Sequence, residues 1–259
     1  MAKFFVYCHK CDTYVWFKDL NVSKNDILSF ALVRKTFTRK ELTDYLESQA
    51  HRGTSNYLSE QLDRLLKSNL LVREDRGVYT LSPGSKYKYI PILSEELKQL
   101  NLSLKAKFPF IRICIWNSQS IIPYLHHIPN IKHTYVDVDR DATNSVFDFL
   151  NRDNPIRVFV NPDKNDFYRY IDGNESIIVR PLISEAPLQN LQGFKVPAIE
   201  KILVDIVVDI EFNFMQGVEL SYFYKNMLDR HNVNPSKLLR YASRRGRRQE
   251  IEKLYNVAL

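Results

Sequence analysis

The feature that most constrains this chain is a leucine run followed at once by a two-stranded pattern. Leu58, Leu62, Leu65 and Leu66 recur every three or four residues, the spacing that lines one face of an α-helix. The predicted helix covers residues 55–69. With a turn of about 100° per residue, Asn56, Tyr57, Glu60, Asp63, Arg64 and Lys67 fall on the opposite, polar side. Residues 71–74 and 78–81 then read as two strands joined at Asp75-Arg76-Gly77, where glycine permits a tight turn.

Two further helix starts precede this unit. Ser23-Lys24-Asn25-Asp26 offers a serine N-cap and an acid in the first turn, followed by Ile27, Leu28, Ala31 and Leu32. Thr38-Arg39-Lys40-Glu41 matches the capping box, and Phe37 and Leu42 fit a hydrophobic staple across it. Leu42 and Leu46 supply the buried stripe of that second helix. Three helices and a hairpin, with a short turn between the last two helices, predict a winged helix-turn-helix over residues 23–85. Residues 1–22 form an N-terminal extension.

In such a unit the third helix is narrow enough to enter the major groove of duplex DNA. Ser55, Asn56, Tyr57, Arg64, Lys67, Arg73 and Arg76 are the expected DNA-binding residues. Arg64, Lys67, Arg73 and Arg76 suit phosphates, Asn56 suits adenine, and Arg64 alternatively suits guanine. Glu60 and Asp63 lower the charge of the same face. A winged helix used only for protein contacts is therefore the competing reading.

After residue 85 the pattern changes. Residues 86–107 read as a linker with one short amphipathic helix near 94–100. Residues 108–259 alternate strands and helices, so the fold class is α/β (α+β): a winged helix-turn-helix, then a larger α/β domain ending in helices. Strands are expected at 111–115, 133–139, 157–160 and 176–182, and a helix at 142–150. Pro197 is placed in the first turn of a strongly apolar helix. Helices follow at 217–228 and from 235, split near Gly246.

The formal net charge is +7, which favours a polyanionic partner. The charge is densest where Lys237, Arg240, Arg244, Arg245, Arg247 and Arg248 occur with no acid among them. No interleaved acid supplies i,i+4 pairs there, so this stretch is expected to face the DNA backbone outside the operator core, RNA, or an acidic toxin surface.

Other functions find little support. Seven glycines and no phosphate-binding fingerprint argue against a nucleotide loop. Cys8-His9-Lys10-Cys11 is half a zinc ribbon without a second pair, and Cys114 is the remaining cysteine, so neither a zinc site nor a disulfide framework is expected. Asp137 and Asp139 lie two apart on one strand, as magnesium-binding carboxylates do, but Asn117-Ser118-Gln119-Ser120 lacks the glycine of a phosphate turn. Both are read as structural, by strand-end solvation or helix capping. Asp205 is read as a hydrogen-bonded structural acid. No catalytic residue, cofactor or metal is expected. The chain lacks a signal peptide and a membrane-length apolar run, so it is expected to be cytoplasmic.

Two segments carry a resemblance. Val196-Pro197-Ala198-Ile199-Glu200-Lys201-Ile202-Leu203-Val204-Asp205 resembles the proline–acid–basic–apolar–Val-Asp helix of AbiEi-type proteins, the winged-helix antitoxins of type IV abortive-infection toxin–antitoxin systems. Asn234-Pro235-Ser236-Lys237-Leu238-Leu239-Arg240-Tyr241-Ala242 with Arg244-Arg245 resembles their C-terminal region, and the order of elements agrees. The resemblance implies a DNA-binding regulator that represses its own operon at repeated half-sites, as a monomer or weak dimer. It also implies a neighbouring nucleotidyltransferase-like toxin, and no catalysis. The alternative class is a DNA-processing defence enzyme with a divergent nuclease or nucleotidyltransferase domain.

Overall fold

The computed structural model describes residues 5–8, 13–16, 24–34, 36–48, 55–82, 86–152 and 154–259. The chain divides into two units, Met1–Pro83 and Gly84–Leu259. It is a mixed α+β protein with several helices and small sheets.

In the first unit, strands β1 (Phe5–Cys8) and β2 (Thr13–Trp16) pair antiparallel. The Cys8 side chain and Cys11 lie outside the described residues, as does the Ser23 cap. Next come α1 (Lys24–Arg34), β3 (Thr36–Thr38), α2 (Arg39–Ser48), α3 (Ser55–Lys67), β4 (Leu71–Asp75) and β5 (Val78–Leu81). The capping box of α2 is complete. Glu41 N–H donates to Thr38 Oγ1 at 3.2 Å, and Thr38 N–H donates to Glu41 Oε2 at 2.7 Å.

The same threonine ends β3, which sequence patterning did not anticipate. β3 adds to the hairpin to give the order β3-β5-β4, with Phe37 opposite Tyr79. Phe37 is buried and stacks on Tyr79 with ring centroids 5.8 Å apart. The core joins Ile27, Phe30, Leu42, Leu46, Leu58, Leu62 and Leu65 to this small sheet. The third helix stops at Lys67, two residues before the expected end. Asn69 takes a left-handed conformation (φ 53°), and its N–H donates to Leu66 O at 3.0 Å, a C-terminal cap.

The second unit begins before the expected boundary. Tyr87 and Tyr89 are buried, and α4 (Glu95–Lys107) is nearly twice the expected length. Residues 86–107 are therefore part of this unit rather than a linker. Leu97 and Leu104, seven apart on one helix face, belong to its core. Strands β6 (Ile113–Asn117) and β7 (Lys132–Val138) lead to α5 (Thr143–Asn151) and β8 (Arg157–Val160). A single turn, α6 (Lys164–Asp166), and a π-helical segment (Phe167–Ile171) precede β9 (Glu175–Pro181). The sheet order is β6-β7-β9-β8, with β6 antiparallel to β7 and the other pairs parallel.

Alternation along the strands separates two layers. Ile113, Ile115, Val136, Val138, Ile177 and Val179 pack with residues of α4 and α5. Cys114, Trp116, Tyr135, Asp137 and Arg180 point the other way. A hairpin follows, β10 (Leu188–Leu191) and β11 (Phe194–Pro197), turning at Gln192 and Gly193 with φ of 51° and 86°. Two positive φ values make the primed turn that suits a two-residue hairpin, but Gln-Gly is a weak signal for it in sequence. Pro197 therefore closes a strand. The apolar helix α7 (Ile199–Val208) starts after it, with Ala198 as N-cap. The remaining helices are α8 (Val218–Arg230), α9 (Pro235–Arg244) and α10 (Arg248–Ala258), the last two separated at Gly246 (φ 69°).

Candidate nucleic-acid interface and a buried charge network

Helix α3 exposes Asn56, Glu60, Asp63, Arg64 and Lys67, while Leu58, Leu62 and Leu65 hold it to the core. Tyr57 departs from the expectation: it is partly buried against that core rather than part of the open face. Ser55 opens the helix, and its side chain lies outside the described residues. Arg64 is engaged by Glu60 one turn back, at 2.5 Å, in a pair that is more than half exposed on both sides. Such a pair is worth a few tenths of a kcal/mol and leaves the guanidinium available.

The hairpin carries the other cations. Arg73 donates to Tyr79 Oη at 3.2 Å and lies 5.5 Å from the centre of its ring. Arg76 sits in the exposed turn, where its N–H donates to Asp75 Oδ1 at 2.6 Å. Gly77 follows with φ 76°, a conformation that lets the hairpin reverse within two residues. The first unit thus gathers Asn56, Arg64 and Lys67 on one helix and Arg73 and Arg76 on one hairpin.

The second unit holds its charges differently. Asp137 and Asp139 share no site. Asp139 pairs outside the strand with Arg112, at 2.7 Å. Asp137 is neither a strand-end nor a capping acid. It is buried between Arg180 Nε at 2.5 Å and Lys201 Nζ at 2.7 Å. Lys201 also reaches Asp205 at 2.5 Å, and Tyr241 Oη donates to Asp205 Oδ1 at 2.8 Å. Arg180 continues to Asp209 at 2.7 Å, and Arg245 donates to the other oxygen of Asp209. Glu211 lies 3.7 Å from Arg180.

The electrostatics follow from this geometry. Burial alone would raise the Asp137 carboxyl, but the Arg180 and Lys201 charges and hydrogen bonds hold it below the usual carboxylate value. Burial would lower Lys201, yet Asp137 and Asp205 keep it well above its usual value, hence charged. Asp209 is pushed up to about 6, first by burial and then by Asp205 and Glu211, against Arg180 and Arg245. Every member is paired with another, although Asp137 Oδ2 and Arg180 Nη2 make ion-pair contacts without a well-formed hydrogen bond, and Asp137, Lys201 and Asp205 are all but inaccessible. The arrangement can bind β7, β9, α7 and α9 together; it offers no space for a substrate at Asp137.

The basic stretch is also less open than expected. Acids distant in sequence, and one just beyond it, reach four of its six cations. Glu185 pairs with Arg244 at 2.6 Å and Arg240 at 3.6 Å, Arg245 turns inward to Asp209, and Arg247 meets Glu250 at 3.7 Å. Arg245 is thus a structural residue. Arg240, Arg244 and Arg248 remain together along an open groove. Sequence reasoning missed Glu185, Arg180, Asp209 and Tyr241. A single charge inside the apolar run 177–182 was the available signal for Arg180.

Among the described residues, no group of three or more His, Cys, Asp or Glu is arranged to hold a metal ion, and Cys114 is buried as a free thiol. No helix among them is long and apolar enough to cross a membrane.

These features define a two-unit α+β protein with a polar helix and hairpin in one unit and a charge-stitched sheet in the other. Residues 57–259 match the model of a family of unknown function, DUF6577, and the chain belongs to that family. No curated protein matches it. Among solved structures, the RV2827C protein from Mycobacterium tuberculosis matches with 14% identity and a TM-score of 0.33, over 93% of this chain and 79% of that one.

Proposed function

We propose that this protein is a DNA-binding transcriptional regulator whose first unit works as a winged helix-turn-helix. The observation that carries the reading is α3 itself. It is anchored by three buried leucines, displays Asn56, Arg64 and Lys67 to solvent, and is followed directly by a hairpin bearing Arg73 and Arg76. A helix of 13 residues with such a face fits the major groove, and the hairpin cations suit the flanking phosphates. With its resemblance to AbiEi-type antitoxins, the chain reads as the non-catalytic, self-repressing member of a toxin–antitoxin pair. Its toxin would be nucleotidyltransferase-like. The commitment of Asp137 to Arg180 and Lys201 supports a non-catalytic second unit.

The test is a footprint on the DNA upstream of the protein's own gene, followed by affinity measurements against salt. Arg64→Ala and Lys67→Ala should each weaken binding and lower the salt slope by about 0.9 per lost phosphate contact. Substituting Asn56 should cost about 1–3 kcal/mol and relax sequence preference. Unchanged affinity in all three variants would remove α3 from the DNA interface.

A further inference from the structure

The groove beside α9 has a volume of about 710 Å³ and is lined by Ser236, Arg240, Ser243, Arg244 and Arg248, with Pro235 and Leu239 between them and Glu185 as its acid. Arg240 and Arg244 are one turn apart and face the same side. Arg248 joins them from α10, donating to Ser243 Oγ at 3.4 Å. Glu185 reaches in from the loop between β9 and β10 and sets its two carboxylate oxygens against Arg244 and Arg240. It does so from a backbone φ of 61°, a conformation that costs an ordinary residue about 1–2 kcal/mol.

We propose that this groove is a phosphate-binding surface for a nucleic-acid backbone, and that Glu185 occupies it in place of phosphate. Forked guanidinium groups bind phosphate oxygens in pairs, and serine hydroxyls add single donors. The side chains of Arg240 and Arg244 are more than half exposed, so a nucleic-acid backbone can reach them and release its own condensed counterions as it pairs. Three arginines and two serines outnumber the two apolar lining residues, Pro235 and Leu239, neither of them aromatic, so the groove suits a phosphate backbone better than the apolar centre of a protein interface. An exposed ion pair is worth about 0–1 kcal/mol, so incoming phosphates displace Glu185 at little cost. Lys237 and Arg247 are not among the lining residues, and Arg245 is turned into the sheet network. This surface recognises no sequence and is separate from the α3 reading.

The experiment uses the full chain carrying Arg64→Ala and Lys67→Ala, so that α3 contributes least, and a random-sequence duplex followed by fluorescence anisotropy over a salt series. Adding Glu185→Gln should tighten binding by about two- to fivefold, because the competing carboxylate is gone. Adding Arg240→Ser, Arg244→Ser and Arg248→Ser should weaken binding and lower the salt slope by about 2–3. Polyglutamate and tripolyphosphate, matched in charge, should compete more weakly than the duplex. The proposal is overturned if Glu185→Gln binds no tighter, if the arginine variant keeps its slope, or if either competitor outbinds the duplex. Thermal melts check each fold. Should the triple variant unfold, Glu185→Gln and the single Arg244→Gln, which removes no buried contact, decide the matter. Loss of operator binding in the α3 variants bears only on the first unit.

Discussion

The helix α3 with its hairpin and the sheet layer of the second unit contain the same kinds of charged side chain and use them in opposite ways. On α3 and its hairpin, Arg64, Lys67 and Arg76 stay in water, and the Arg64–Glu60 contact is exposed on both sides. Across β7, β9 and α7, charges of the same chemistry are withdrawn from solvent and tied to one another. Exposed charges remain exchangeable, so they suit a partner. Charges in the sheet layer have given up hydration, and their attraction is spent on one another. The contrast assigns recognition to the wet charges and cohesion to the dry ones.

The sharpest way to break that contrast is to remove one dry cation. Lys201→Met leaves Asp137 and Asp205 buried with less compensation and should cost about 3–5 kcal/mol in urea denaturation. A loss below about 1 kcal/mol would show that the network does not hold the unit together.

A second measurement uses pH. The Asp209 carboxyl, at about 6 when folded, sits above its usual 3.8, so the folded state takes up this proton more readily than the unfolded chain. Its stabilising contribution is fully present below the unfolded value and is lost as pH rises through the folded one. Wild-type stability relative to Asp209→Asn should therefore fall between about pH 4 and pH 6 by up to about 3 kcal/mol, then level off. Asp137 acts with the opposite sign and at lower pH, because its value is depressed. A relative stability that climbs through the window would reverse the assignment. The smallest expected effect is on the wet side: Glu60→Gln should change unfolding free energy by only a few tenths of a kcal/mol. A cost above about 1 kcal/mol would mean that exposed pairs also carry the fold.

Much of this architecture is legible in the sequence because local signals agree with the tertiary outcome. The Thr38–Glu41 box, the leucine spacing of α3 and the glycine of the hairpin each act within a few residues. The β8 strand at 157–160 and the break at Gly246 are equally local. What escapes is non-local. β3 exists because Phe37 finds Tyr79 some forty positions away, and no pattern in three residues announces a strand. Asp137 reads as a metal-type carboxylate or a solvated strand end until the sheet brings Arg180 opposite it and α7 brings Lys201 above. The basic stretch reads as acid-free because its principal partners, Glu185 and Asp209, come from other segments of the chain. The polar face of α3 was legible except at Tyr57, whose ring is drawn into the core.

Arg245 also acts as an angular index for the end of the molecule. Successive residues on a helix point about 100° apart. With Arg245 locked to Asp209 and Tyr241 locked to Asp205, the rotation of α9 about its own axis has no remaining freedom. Arg240 and Arg244 are thereby aimed outward by contacts they do not make themselves. Deleting one residue between Tyr241 and Arg245 would leave the composition of the segment almost unchanged. It would still carry Arg245 into the outward position of Arg244 and bring Gly246 to the inward one, taking the dry charge away from Asp209 and leaving nothing in its place.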